Sequence, residues 1–195
     1  MLTPVLVALL VPSPASTPGP VYPDTGCVIM HPKQVPAAGR ASPLDSVTFS
    51  VAGKPVKICY GRPSLKGRVM IGGEAVPFDT LWRTGANEPT TVFSPIALNV
   101  AGVTAPAGKW TLYTVPGETE WQIIVNKSTT QWGEESNYTG AVRAQEAGRG
   151  KVPAESVKAP IETFTIRAEP GEGGGVTLIL EWQRTRVRIP IKAAS

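Results

Sequence analysis

Val47-Thr48-Phe49-Ser50-Val51-Ala52-Gly53-Lys54-Pro55-Val56-Lys57-Ile58-Cys59-Tyr60 is the stretch that decides the fold. Val47, Phe49 and Val51 fall on one face of an extended chain, and Thr48 and Ser50 on the other. Gly53-Lys54 signals a turn, after which Val56, Ile58 and Tyr60 resume the alternation. The stretch reads as a β-hairpin with one apolar face.

The same pattern recurs downstream. Thr91 to Val100 is a further strand region, with Pro95 marking an edge or a bulge. Trp110, Leu112 and Thr114 alternate with Thr111, Tyr113 and Val115, and Trp121, Ile123 and Val125 follow a turn at Pro116-Gly117-Glu118. Ile96 to Val125 therefore reads as a β-meander. Ser128 to Pro160 is the least regular part, with a short strand expected at Val142 to Glu146; loops of this length are commonly functional. Glu162 to Ala168 is a strand, followed by a Gly-rich turn. Leu178, Leu180 and Trp182 then occupy even positions, but Val187, Ile189 and Ile191 occupy odd ones. One straight strand cannot bury both sets, so a turn or bulge is required at Gln183 to Thr185. Arg186 and Arg188 are read as outward-facing edge protection. Two Val-Ala-Gly triplets, at Val51 and Val100, look alike without amounting to a repeat.

Composition agrees with this pattern. Gly and Pro number 20 each in 195 residues, which suits short strands joined by turns. Hydrophobic residues make up 42%, enough for a packed core. The net charge of +4 has no Lys/Arg run or stripe behind it, so no nucleic-acid partner is expected. The fold class expected is all-β: a single-domain antiparallel β-sandwich, with an open β-barrel as the alternative.

At the N-terminus, Leu2 to Val11 is apolar apart from Thr3 and Pro4, and small residues at Ser13 and Ala15 permit cleavage before Ser16. The run is shorter than the ~20 apolar residues of a membrane helix. The expected organisation is a signal peptide at 1–15, a partly flexible arm at 16–41 and one β domain at 42–192, in an exported protein of the periplasm or the extracellular space. Cys27 and Cys59, an even count in an exported chain, are expected to form a disulfide.

Candidate chemistry is sparse. His31 is the only histidine, and the aspartates Asp24, Asp45 and Asp79 are scattered. No metal set and no cofactor fingerprint is present in the sequence. The informative residues lie between Cys59 and Glu88. Arg62, Lys66 and Arg68 sit in turns, and Arg83, Asn87 and Glu88 in a second turn-like segment. Arranged around one concavity they would hold a carboxylate or phosphate. The structural alternative has Arg62 or Arg83 pairing with Glu88 to brace two loops, with Gly85 and Asn87 supplying positive φ. Trp110, Trp121 and Trp182 fit core positions on strands. Trp82 and Trp132 fall near turns, where core filling competes with stacking on a sugar ring.

These residues carry a resemblance. Tyr60-Gly61-Arg62-Pro63, Lys66-Gly67-Arg68, Val76-Pro77-Phe78, Trp82-Arg83-Thr84-Gly85-Ala86-Asn87-Glu88, Ala107-Gly108-Lys109-Trp110-Thr111-Leu112, Pro116-Gly117, Trp121 with Asn126, Gln131-Trp132-Gly133 and Leu180-Glu181-Trp182 resemble the secreted bacterial domain-of-unknown-function family twenty-nine-eleven. The likeness covers roughly Ser42 to Ile191. It departs at Phe78-Asp79, where Tyr-Gly is usual, and at Trp110, where Tyr is usual. It implies export and one fold unit, and it brings no activity. Two functional classes follow. One is a non-catalytic envelope module that binds a small anion, a glycan or an envelope protein through Arg62, Lys66, Arg68, Trp82, Arg83, Asn87, Glu88 and Trp132. The other is a hydrolase or lyase that uses Glu88 or Glu134 with Arg83.

Overall fold

The computed structural model describes residues 26–195 except 32, 34 and 37. The expected signal peptide and residues 16–25 of the expected arm lie outside the described residues.

The described residues form nine strands: β1 (Leu44–Val51), β2 (Lys54–Gly61), β3 (Thr90–Ser94), β4 (Leu98–Val100), β5 (Val103–Ala105), β6 (Gly108–Val115), β7 (Glu120–Asn126), β8 (Glu146–Pro170) and β9 (Val176–Ala193). They join in one antiparallel sheet of order β1-β2-β3-β6-β7-β8-β9-β4-β5. The sheet is open and folds over itself as a β-sandwich. The deciding hairpin is in place, with Val51 opposite Lys54 and a turn at Ala52 (φ 50°) and Gly53 (φ 73°). Positive φ at both central residues gives the turn a twist that matches the flanking strands. The second Val-Ala-Gly triplet does the same for β4 and β5, with Ala101 at φ 49° and Gly102 at φ 87°.

The β8–β9 hairpin builds the second layer. Residues 146–153 of β8 pair with β7, and from Ala154 onward β8 pairs with β9. Register shifts between Ser156 and Thr165 bend the hairpin. Its far limb crosses the inner face of β2, where the Tyr60 hydroxyl accepts from Ile166 N at 3.1 Å and Phe164 meets the Tyr60 ring edge-on. The parity break in β9 falls at Gln183, which stands at φ 57°. The strand continues through it, and Leu178, Leu180, Trp182, Val187, Ile189 and Ile191 are all buried. A cluster of large rings fills the centre: Trp82 stacks on Trp182 at 5.7 Å and meets Phe164 and Trp121 on edge.

Four expectations change. The Thr91–Val100 region is two strands divided at Pro95: β3 lies between β2 and β6, and β4 lies beside β9. The meander from Ile96 to Val125 is accordingly two hairpins at separate places in the sheet. In the irregular stretch, residues 146–160 belong to β8, and the expected strand at Val142 gives way to a short helix α1 (Gly140–Arg143), capped by Thr139. Arg186 and Arg188 lie on β9, an interior strand that pairs with β8 as far as Val187 and with β4 from Ile191 to Ala193. There Arg186 and Arg167 flank the carboxylate of Glu181.

Candidate functional site

The segment Arg83–Glu88 is built by its neighbours. Trp82 exchanges two backbone hydrogen bonds with Thr114 on β6, and its indole N–H donates to Gly85 O at 3.0 Å. Thr90 Oγ1 donates to Thr84 O at 2.7 Å. The left-handed positions are Thr84 (φ 59°) and Asn87 (φ 65°). Glycines clamp the segment from two sides. A Cβ on Gly61 would lie 2.0 Å from Ala86 O, and one on Gly133 would lie 1.8 Å from Asn87 O and 2.8 Å from Arg83 Cδ. Gly85 serves close approach too, its Cβ position being 3.0 Å from Gly61 O.

Arg83 donates through Nη1 to both carboxylate oxygens of Glu135, at 2.9 and 2.8 Å. Its Nε is buried without a partner. Glu88 is buried and does not meet Arg62 or Arg83. Its carboxylate accepts from Arg40 Nη2 at 3.0 and 2.8 Å and from Met30 N at 3.3 Å. The two side chains are 3% and 5% exposed, so the pair is sealed from water. Arg40 Nε and Nη1 are buried and unpartnered. Asn87 Nδ2 donates to Ser42 O at 3.4 Å.

Arg40 and Met30 belong to a strap, residues 26–41, none of whose described residues lies in a helix or strand. The expected disulfide joins it to β2: Cys27 and Cys59 are bonded, with Cα atoms 5.6 Å apart. Beneath the strap a void of about 20 Å³ touches Met30, Cys59, Glu88 and Phe93, room for about one water. His31 extends from the strap to Trp132, where the rings meet edge-on at 4.7 Å.

Trp132 is partly exposed and sits on a braced turn. Gln131 Nε2 donates to the Tyr113 hydroxyl at 3.1 Å, and Gln131 Oε1 lies 2.7 Å from Ser128 Oγ. Asn126 donates to the Tyr138 hydroxyl and to Val142 O, and accepts from Ser128 N. Burial pushes the Tyr113 phenol up to about 12 and raises Tyr138 as well, so both keep their protons. Tyr138 donates that proton to Glu146 at 2.8 Å, and hydrogen bonds from Arg149 lower the Glu146 carboxyl.

The other sequence candidates lie apart from this group. Arg62 donates to Phe164 O, Asp45 and Thr165, and so ties β2 to β8. Lys66 is exposed at φ 49°, and its backbone N–H donates to Glu162. Arg68 closes its own turn through Leu65 O and Ser64 O. Trp82 lies in the core below the segment. Arg83, Asn87, Glu88 and Trp132 are thus gathered around one segment, with His31, Arg40 and Glu135 beside them. Sequence reasoning missed these last roles. No group of His, Cys, Asp or Glu among the described residues could hold a metal ion, and no helix among them is long and apolar enough to cross a membrane.

A family model for proteins of unknown function matches residues 42–191, most of the chain. The chain belongs to the DUF2911 family. No curated protein and no solved structure matches it. The DUF2911 span contains Cys59, Arg83, Glu88, Trp132 and Glu135. The strap residues Cys27, His31 and Arg40 precede it.

Proposed function

We propose that this DUF2911 protein is an exported, non-catalytic module of the cell envelope that binds a neutral saccharide on the face formed by His31, Arg83, Trp132 and Glu135. The observation that carries this reading is the charge balance beside a partly exposed indole. Trp132 offers an apolar platform, and the Arg83–Glu135 pair next to it offers donors and acceptors without a net charge. A sugar ring presents C–H groups to the first and hydroxyls to the second. A small anion needs a surplus of positive charge. Here Arg83 is committed to Glu135 and Arg40 to Glu88, while Arg62, Lys66 and Arg68 lie elsewhere.

The hydrolase reading finds less support. Glu88 is sealed against Arg40, and the guanidinium of Arg83 already holds a carboxylate, leaving it poorly placed as an oxyanion partner. Export is supported by the disulfide, which persists in oxidising compartments.

The test is titration of the purified protein with neutral oligosaccharides of glucose and of N-acetylglucosamine, followed by tryptophan fluorescence and calorimetry. Saturable binding is expected for at least one series. Trp132→Ala should weaken it at least tenfold, about 1.4 kcal/mol, with an unchanged thermal midpoint. Absence of binding in both series, or equal binding by the variant, overturns the reading.

A further inference from the structure

The nine-stranded sheet has two edges, and they are built differently. β5 is three residues long, too short to template another strand. β1 runs for eight residues in unbroken register with β2, and no described residue pairs with its other side. Edge strands are usually blunted by Pro, by Lys or by a bulge. β1 has none of these. Its single charge, Asp45, is neutralised by Arg62 at 3.1 Å. Ser46, Thr48 and Ser50 are exposed on the outer face, while Val47 and Phe49 pack on the core from the inner face and remain only partly covered.

We propose that this edge pairs with β1 of a second copy, antiparallel about a two-fold axis through Thr48, so that the two sheets become continuous. The strand is complementary to itself in this register. Directly opposed residues of an antiparallel pair point to the same face, so the axis must oppose residues of equal parity. Centred on Thr48, it pairs every residue from Asp45 to Val51. Ser46 meets the second copy's Ser50, and Thr48 meets its counterpart, which gives a ladder of hydroxyls. Val47 meets the second copy's Phe49, a β-branched residue against an aromatic one, of the kind that stabilises neighbouring strands. Asp45 meets the second copy's Val51, so no like charges are opposed. The inner pairs complete the cover that Val47 and Phe49 lack in a single copy. This inference is independent of saccharide binding, which uses residues on the strap, the segment after Trp82 and the turn at Trp132.

The experiment is sedimentation equilibrium of the full chain from about 10 µM to about 1 mM, the range suited to a small interface. The wild type should self-associate to a dimer. Thr48 is exposed in the single copy, so Thr48→Lys and Thr48→Glu leave the core untouched, a point that circular dichroism checks. Each variant opposes like charges across the axis and should be monomeric over the whole range. An equimolar mixture of the two should dimerise again, because unlike charges then face each other. A wild type that stays monomeric to the highest concentration overturns the proposal. So does undiminished self-association of either variant, and so does a mixture that stays monomeric.

Discussion

Removing Arg40 tests how the strap is held. Arg40→Ala leaves the Glu88 carboxylate buried, with Met30 N as its remaining donor among the described residues. Breaking a sealed pair on one side costs about 3–5 kcal/mol, because the remaining charge has lost its counterion without regaining water. The loss applies while the strap stays down, and the disulfide keeps it down. Cys27 and Cys59 are 32 residues apart in sequence, a loop whose closure is worth ~3–4 kcal/mol by chain entropy. In a Cys27→Ser, Cys59→Ser background the strap can lift, water reaches Glu88, and the cost of Arg40→Ala should fall below about 1 kcal/mol, the range of an exposed pair. The assay is urea unfolding of the four proteins of this cycle. At a slope of about 2 kcal/mol per molar, Arg40→Ala should move the midpoint by roughly 1.5–2.5 M with the disulfide present, and by under about 0.5 M without it. A shift of similar size in both backgrounds would refute the reasoning, because the strap and the ion pair would then not be coupled.

Two further outcomes are expected. Gln183→Ala removes the amide that accepts from Met70 N and Ile71 N and donates to Ile71 O; with these groups buried the loss is about 2–4 kcal/mol, read as a fall of about 5–15 °C in the thermal midpoint, and a fall under about 2 °C would show that the amide does not secure the segment before Trp82. Arg149 holds the Glu146 carboxyl below its ordinary value of 4.5, so its contribution is present above that pH and is lost as pH falls through the folded pKa; Glu146→Gln should flatten the decline in thermal midpoint between about pH 5 and about pH 3, and an unchanged slope would count against it.

Much of the sandwich was legible because period-two alternation survives wherever a strand has one buried face. The clash of parity between Trp182 and Val187 located Gln183, and the two Val-Ala-Gly triplets turned out to be the same turn. The course of the chain between β3 and β4 was not legible: Pro95 shows that a strand stops, but not that the next belongs beside β9. Of the site, the Trp82–Glu88 run drew attention through its chemistry. Its partners did not, because Arg40 and Glu135 lie on irregular segments, where charge carries no period and any of several acids could answer a given arginine. The same run left Trp82 open between core filling and stacking on a sugar ring. Its neighbours are turn residues, yet the indole points inward and is capped by Gly85 O.

The β8–β9 hairpin also sets an order of events in time. Its rungs begin at Pro170 and Val176 and propagate outward, so each closes only a slightly longer loop than the last. The contacts that join it to the rest are of another kind: Tyr60 reaches Ile166, and Met70 reaches Gln183, across more than a hundred residues. Local hairpins form on the microsecond scale, whereas such distant pairings slow folding. During synthesis the inner face of β2, β6 and β7, including Ile58, Trp110 and Ile123, has no cover until β8 and β9 emerge. A chain cut before Glu146, the first residue of β8, would leave that face exposed and prone to aggregation.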